Sequence, residues 1–196
     1  MKSERVSFPG PVVALVLVIL VSGCALSPER RDPAPAMQGG LDLRNNAYSL
    51  FYDLLQDERH LSKLLIVKRD RRELNQLVKK ISQTAADAAD RLKALAKSDR
   101  SLDLLSTSLP PGEAATRKAI ADTKKRELLG RSGWEFERTL LLTQMEALSY
   151  GSHLATVAAK HDANPDRSAY LSALSQSFDT LREEVARLLF QTQGRP

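Results

Sequence analysis

The chain has 196 residues, of which 42% are hydrophobic, 27% charged and only 5% aromatic, with a net charge of +5. Once a leader is removed, that length suits one domain, and so mild a positive charge lacks the footprint of a nucleic-acid binder. The single cysteine, Cys24, excludes an internal disulfide, so stability must come from an apolar core rich in Leu, Ala and Val.

In chain order, Lys2 and Arg5 give a positive start, Pro9 and Pro11 follow, and an unbroken apolar run extends from Val12 to Val21. This is the layout of a secretory signal, and the run is too short to span a bilayer as a mature helix. The run ends in Val21-Ser22-Gly23-Cys24, which resembles the lipobox read by lipoprotein signal peptidase. Its small residues let the peptidase close around the backbone at the cut. The resemblance implies a signal peptide over residues 1–23 and lipidation of Cys24. The plainer alternative is an ordinary signal peptide with a chance cysteine. Against it, Cys24 is the sole cysteine and occupies the one position the motif requires. A lone cysteine in an exported chain otherwise needs an intermolecular partner or stays a free thiol. Residues 24–41 contain Pro28, Pro33, Pro35, Gly39 and Gly40 with Arg30 and Arg31, and read as a flexible tether.

Residues 42–196 read as helices throughout, since no stretch sustains the two-residue alternation of a strand. Helix A is expected over residues 42–67, with Ala47, Leu50, Leu54, Leu61 and Leu64 on one stripe and Phe51, Leu55 and Leu65 on another. Asp70-Arg71-Arg72-Glu73 has capping-box spacing and is expected to start helix B, whose stripe is Leu74, Leu77, Ile81, Ala85, Ala88, Leu92 and Leu95. A polar loop follows over residues 98–110. Pro110 and Pro111 open a shorter helix C that ends near Gly130. Ser132-Gly133-Trp134-Glu135 is a second capping box, opening helix D. Its expected seam is Phe136, Leu140, Thr143, Ala147, Tyr150, Leu154 and Val157, flanked by Leu141, Leu148, Ala155 and Ala158. Asn164-Pro165 caps helix E, with Leu171, Leu174, Phe178, Leu181, Val185 and Leu188 on its seam. The fold expected is all-α, an antiparallel bundle of four long helices and one short one.

Ser132-Gly133-Trp134-Glu135-Phe136-Glu137-Arg138 resembles the Ser-Gly-x-x-Phe-Asp-Arg signature of domain-of-unknown-function family 4142, a set of exported ferritin-like bundles. Leu92-Lys93-Ala94-Leu95-Ala96 resembles the end of that family's second helix, and Asp179-Thr180-Leu181-Arg182-Glu183 its last helix. The resemblance covers residues 45–189 and implies a ferritin-like bundle. The family pattern places Asp-His pairs in its second and fourth helices and a histidine in the last. Here those positions fall on Thr84 and Ala85, on Ala147 and Leu148, and on Glu184. Ferritin-like bundles build metal sites from inward Glu and His. With the family histidines absent, no metal, cofactor or catalytic residue is assigned. His60, His153 and His161 are scattered and are expected at the surface or near helix ends. Tyr48, Tyr52, Trp134, Phe136 and Tyr150 fall at helical spacing and are expected in the core or at its edge.

Two clusters of cations remain: Lys68, Arg69, Arg71 and Arg72 at the A–B turn, and Lys124, Lys125, Arg126 and Arg131 at the C–D turn. If A rises, B returns, C rises and D returns, both turns lie at one pole and form a surface for an anionic partner. The plainer account is a solvated bundle end whose cations stabilise the C-termini of helices A and C. The function expected is a non-catalytic envelope lipoprotein with a structural or protein-interaction role. Its partners are the membrane, through Cys24, and an anionic envelope component or another envelope protein, with no nucleic acid. Ala25 follows the cysteine, which points to the outer membrane facing the periplasm. The alternative is a metal-binding or enzymatic bundle that uses Glu184 and other carboxylates.

Overall fold

The computed structural model describes residues 35–64, 71–106 and 108–192. Five helices pack together: α1 (Pro35–Glu58), α2 (Arg72–Ser98), α3 (Pro111–Gly130), α4 (Gly133–His161) and α5 (Pro165–Thr192), with a 3-10 turn at Leu61–Lys63 after α1. Among the described residues there is no strand. The protein is an all-α antiparallel bundle.

Four helices form a ring. The α4–α5 pair makes the most extensive contact, α1 lies against both α2 and α4, and α2 closes the ring against α5. Long-range contacts fix the directions. Tyr48 of α1 meets Asp162 just beyond the end of α4, so these helices run antiparallel. Arg91, late in α2, stacks on Tyr170, early in α5, while Lys80 pairs with Glu184 towards the opposite end. The core is the sum of the apolar stripes. From α1 come Ala47, Tyr48, Phe51 and Leu55, and from α2 Leu74, Leu77, Ile81, Ala85, Ala88 and Leu92. From α5 come Leu171, Leu174, Phe178, Leu181, Val185 and Leu188, all on the expected seam. Phe51 and Phe178 meet edge to face at 5.6 Å. Gly151 makes this possible, since a Cβ there would stand 2.6 Å from the Phe178 ring.

In α4 the buried arc differs from the expected seam. Leu140, Leu141, Leu148, Ala155 and Ala158 are buried, whereas Thr143, Ala147 and Val157 are half-buried and Tyr150 is exposed. The centre of the helix therefore faces the core with what was read as its flanking stripe. The cause is that α4 packs on α1 and α5 inside the ring while α3 lies against its outer side.

Helix boundaries depart from expectation at the N-terminal side. α1 begins at Pro35, so residues 35–41, read as tether, are helical, and it ends at Glu58, well before Val67. Leu65 and Asp70 lie outside the described residues. α2 starts at Arg72 with Arg71 in the capping position, and no side-chain cap bond is made there. Ser132 does occupy the cap of α4, but its hydroxyl makes no capping bond either. Asn164 caps α5 as expected: its Oδ1 accepts the Arg167 amide at 3.0 Å. The loop after α2 is less polar than expected, because Leu102 and Leu104 are buried.

Helix α3 stands outside the ring, and Leu128 is its one fully buried residue. It carries the chain from the end of α2 back along the outside of α4. Consequently α2 and α4 run parallel, joined by a crossover that contains α3, and the directions of A, B, C and D alternate as expected, with α3 standing off the ring. Arg71 and Arg72 at the start of α2 and the turn between α3 and α4 therefore fall at one end of the bundle.

Candidate functional site

The two ends of the ring differ in chemistry. At the first, Asp162 follows α4 with its side chain fully buried. Its carboxylate accepts from the Tyr48 hydroxyl at 2.6 Å, from Arg167 Nε and Nη2 at 2.8 Å each, and from the Asn164 amide at 2.8 Å. Arg167 also donates to Asp99 at 2.7 Å. Asp99 accepts the Ser101 amide, and the Ser101 carbonyl accepts from Arg44 at 2.6 Å. Burial pushes the Asp162 carboxyl up, but the bonds from Arg167, Tyr48 and Asn164 outweigh it and hold the group below the ordinary aspartate range. Burial pushes the Tyr48 hydroxyl up, and the neighbouring Asp162 adds to it. Each charge here meets a partner, so this end locks four helices together.

The second end carries most of the expected site. Arg71, capping α2, donates to Glu137 in the first turns of α4 at 2.8 Å, with both side chains largely buried. This ion pair brings the starts of α2 and α4 together at one end of the bundle. Lys124 is committed to Glu146 on α4, and Arg126 donates to Thr123. Arg72, Lys125, Arg126 and Arg131 are exposed. Lys68 and Arg69 lie outside the described residues, as does Cys24. Neither α1 nor α3 has a basic residue in its last turn, while Arg131 occupies the C-cap position of α3, where a cation can stabilise that helix end.

Two features of this end were not anticipated. The first is aromatic. Trp134, expected in the core or at its edge, is 59% exposed, and Leu129, near the end of α3, is 45% exposed. Gly130 and Gly133 frame the turn between α3 and α4, and Gly133 has a φ of +55°, a left-handed conformation that suits glycine. The turn brings Trp134 out at the start of α4. A groove of about 300 Å³ between α3 and α4 is lined by Trp134 and Leu142 with Lys124, Arg131 and Arg138, facing Glu127, Glu135 and Glu146.

The second is Glu58, the last residue of α1, which is buried. Burial pushes its carboxyl up to about 7, opposed by a hydrogen bond from Gln144 of α4 and reinforced by the charge of Asp57. Glu58 Oε2 and Gln144 Oε1 are both buried without a partner. A protonated carboxyl satisfies both at once. Its O–H donates to the amide oxygen while the amide N–H donates back, so the pair suits the neutral acid.

The positions that the resemblance sets against histidines are packing or surface positions. Ala85 and Leu148 are buried in the core, Thr84 and Ala147 are half-buried, and Glu184 pairs with Lys80 at the α2–α5 edge. His60 and His153 are exposed, and His161 lies in the last turn of α4. Among the described residues no three histidine, cysteine or carboxylate side chains are grouped as a metal ion would need. No family model, curated protein or solved structure matches the chain.

Proposed function

We propose that this chain is a lipid-anchored helical bundle of the bacterial envelope that works by binding rather than by catalysis. In this reading it is cut ahead of Cys24, held by acyl chains on that cysteine, and directed to the periplasmic face of the outer membrane. The observation that carries the reading is Val21-Ser22-Gly23-Cys24 closing an apolar run, with Cys24 the only cysteine of the chain. No helix of the described residues is long and apolar enough to cross a membrane, so attachment in this reading rests on the N-terminus alone. The single long crossover supports a ferritin-like topology, which uses one such connection. The interior is packed, with Phe51 against Phe178, so a working surface belongs on the outside of the bundle. There the exposed cations and Trp134 at the Glu58 end support contact with an anionic envelope component or an acidic face of another envelope protein.

The test is Cys24→Ser followed by fractionation. The expected result is an uncut precursor or a product released to the soluble fraction. A variant that is still processed and still membrane-bound removes the lipid assignment.

A further inference from the structure

The exposed tip between α3 and α4 combines two properties. Trp134 and Leu129 are large apolar side chains left open to solvent on either side of the Gly130–Gly133 turn. Around them stand Lys125, Arg126, Arg131 and Arg138, all exposed, with Arg72 opening α2 at the same end. Of the carboxylates at this end, Glu137 is paired with Arg71, Glu146 with Lys124, Glu73 follows Arg72 and Asp57 feels the charge of Lys125. At the turn itself Arg126, Arg131 and Arg138 stand against Glu127 and Glu135, a small cationic excess.

An indole is apolar in its body and carries one N–H donor, which suits the headgroup level of a bilayer, and arginine stems can lie along the acyl boundary while the guanidinium meets phosphate. An acidic protein face would satisfy the cations and could also cover a tryptophan, so the shape of the turn decides between the two. The turn itself is lean, since no atom lies within 4 Å of a Cβ built at Gly130 or Gly133, and a flat surface can approach it closely.

We propose that this tip docks on an anionic phospholipid surface, with Trp134 and Leu129 entering the interface and Lys125, Arg126, Arg131 and Arg138 holding headgroup phosphates. The proposal rests on the binding reading above and names the partner of that surface. Each cation near such a surface is worth roughly a fivefold change in partitioning. Removing three of them should therefore weaken docking by roughly a hundredfold.

The test uses the fact that Trp134 is the only tryptophan in the chain, so its fluorescence reports on this tip alone. The full chain is placed on vesicles of phosphatidylcholine or phosphatidylglycerol whose acyl chains are brominated to quench a nearby indole. Docking predicts a blue shift and quenching with phosphatidylglycerol at low salt, reversal as salt is raised, and little change with phosphatidylcholine. The combined Arg126→Gln, Arg131→Gln and Arg138→Gln variant should lose the response. Leu129→Ser should reduce it, and circular dichroism checks that each variant is folded. Unchanged emission on phosphatidylglycerol overturns the proposal, as does equal quenching on both lipids. Protection of Trp134 by poly-glutamate but not by vesicles overturns it in favour of an acidic protein partner. The anchor is read separately, by flotation with phosphatidylcholine vesicles. Loss of flotation strikes the lipid at Cys24, whereas loss of quenching strikes the tip.

Discussion

The Asp162 end and the Glu58 end are built from similar residue types and reach opposite electrostatic outcomes. At the first, a buried carboxylate is surrounded by donors from α1 and α5 and remains an anion. At the second, a buried carboxyl at the last residue of α1 has one amide neighbour and an acidic neighbour in sequence, and is held neutral up to about pH 7. Burial raises both groups, and the number of donors decides which one stays charged. The difference teaches where the bundle is closed and where it is open. The Asp162 end ties the loop after α2, the start of α5 and α1 into one network. The Glu58 end holds its buried carboxyl through one amide and leaves cations in solvent and an indole uncovered.

Breaking the closed end should have the largest effect. Asp162→Ala leaves the Arg167 charge and the Tyr48 hydroxyl without their principal acceptor inside the fold. Removing one partner of a buried pair costs about 3–5 kcal/mol. Chemical denaturation should show a loss in that range, and an unchanged midpoint would mean that the network adds nothing to stability.

The two ends should also respond to pH in opposite directions. Asp162 titrates lower in the fold than in the unfolded chain, so its contribution is present above the unfolded value and is lost as pH falls through the folded one. Glu58 titrates higher, near 7 against an ordinary 4.5. Between those values the fold keeps a proton that the unfolded chain has released, so stability falls as pH rises across the window and levels off above it. The span corresponds to about 3 kcal/mol. Glu58→Gln cannot ionise and offers the same two hydrogen bonds to Gln144. Melting from pH 4.5 to 8 should therefore show the wild type losing stability relative to this variant. Parallel curves would place Glu58 in contact with solvent or with a cation.

The sequence disclosed the bundle where a helix has one apolar face. α2 and α5 each present one main stripe, and the residues read as core from Leu74 to Leu92 and from Leu171 to Leu188 are all buried, widened by Val78, Ala89 and Leu189. α4 was harder because three helices surround it, so its buried arc is wider than one seam. The off-ring position of α3 did leave a signal. Ala114, Ala115, Ala119, Ile120, Leu128 and Leu129 follow no single face, and a helix without an apolar stripe has little to bury in a ring. The Asp162 network was not legible, because its bonds join Tyr48 to Asp162 and Asp99 to Arg167 across long stretches of chain. Glu58 was hidden for a different reason. Beside Asp57 and Arg59 it reads as one more surface charge, and only the place where α1 stops puts it inside. Trp134 misled through its spacing with Phe136, since the left-handed Gly133 precedes it and the helix face begins only at Phe136.

The smallest expected change in stability belongs to the measurement that tests the central claim, that binding is located at the Glu58 end. Two variants remove equal charge from exposed positions. One carries Arg126→Gln, Arg131→Gln and Arg138→Gln, and the other Lys97→Gln, Arg100→Gln and Lys160→Gln at the Asp162 end. Such surface substitutions should each alter stability by no more than about 0.5 kcal/mol. The full chain on phosphatidylcholine vesicles is then scored for attachment to a supported phosphatidylglycerol bilayer at low and raised salt. The account predicts that the first variant loses salt-sensitive attachment and the second keeps it. Equal loss in both would show that net charge alone governs attachment, and would contradict a binding surface at the Glu58 end.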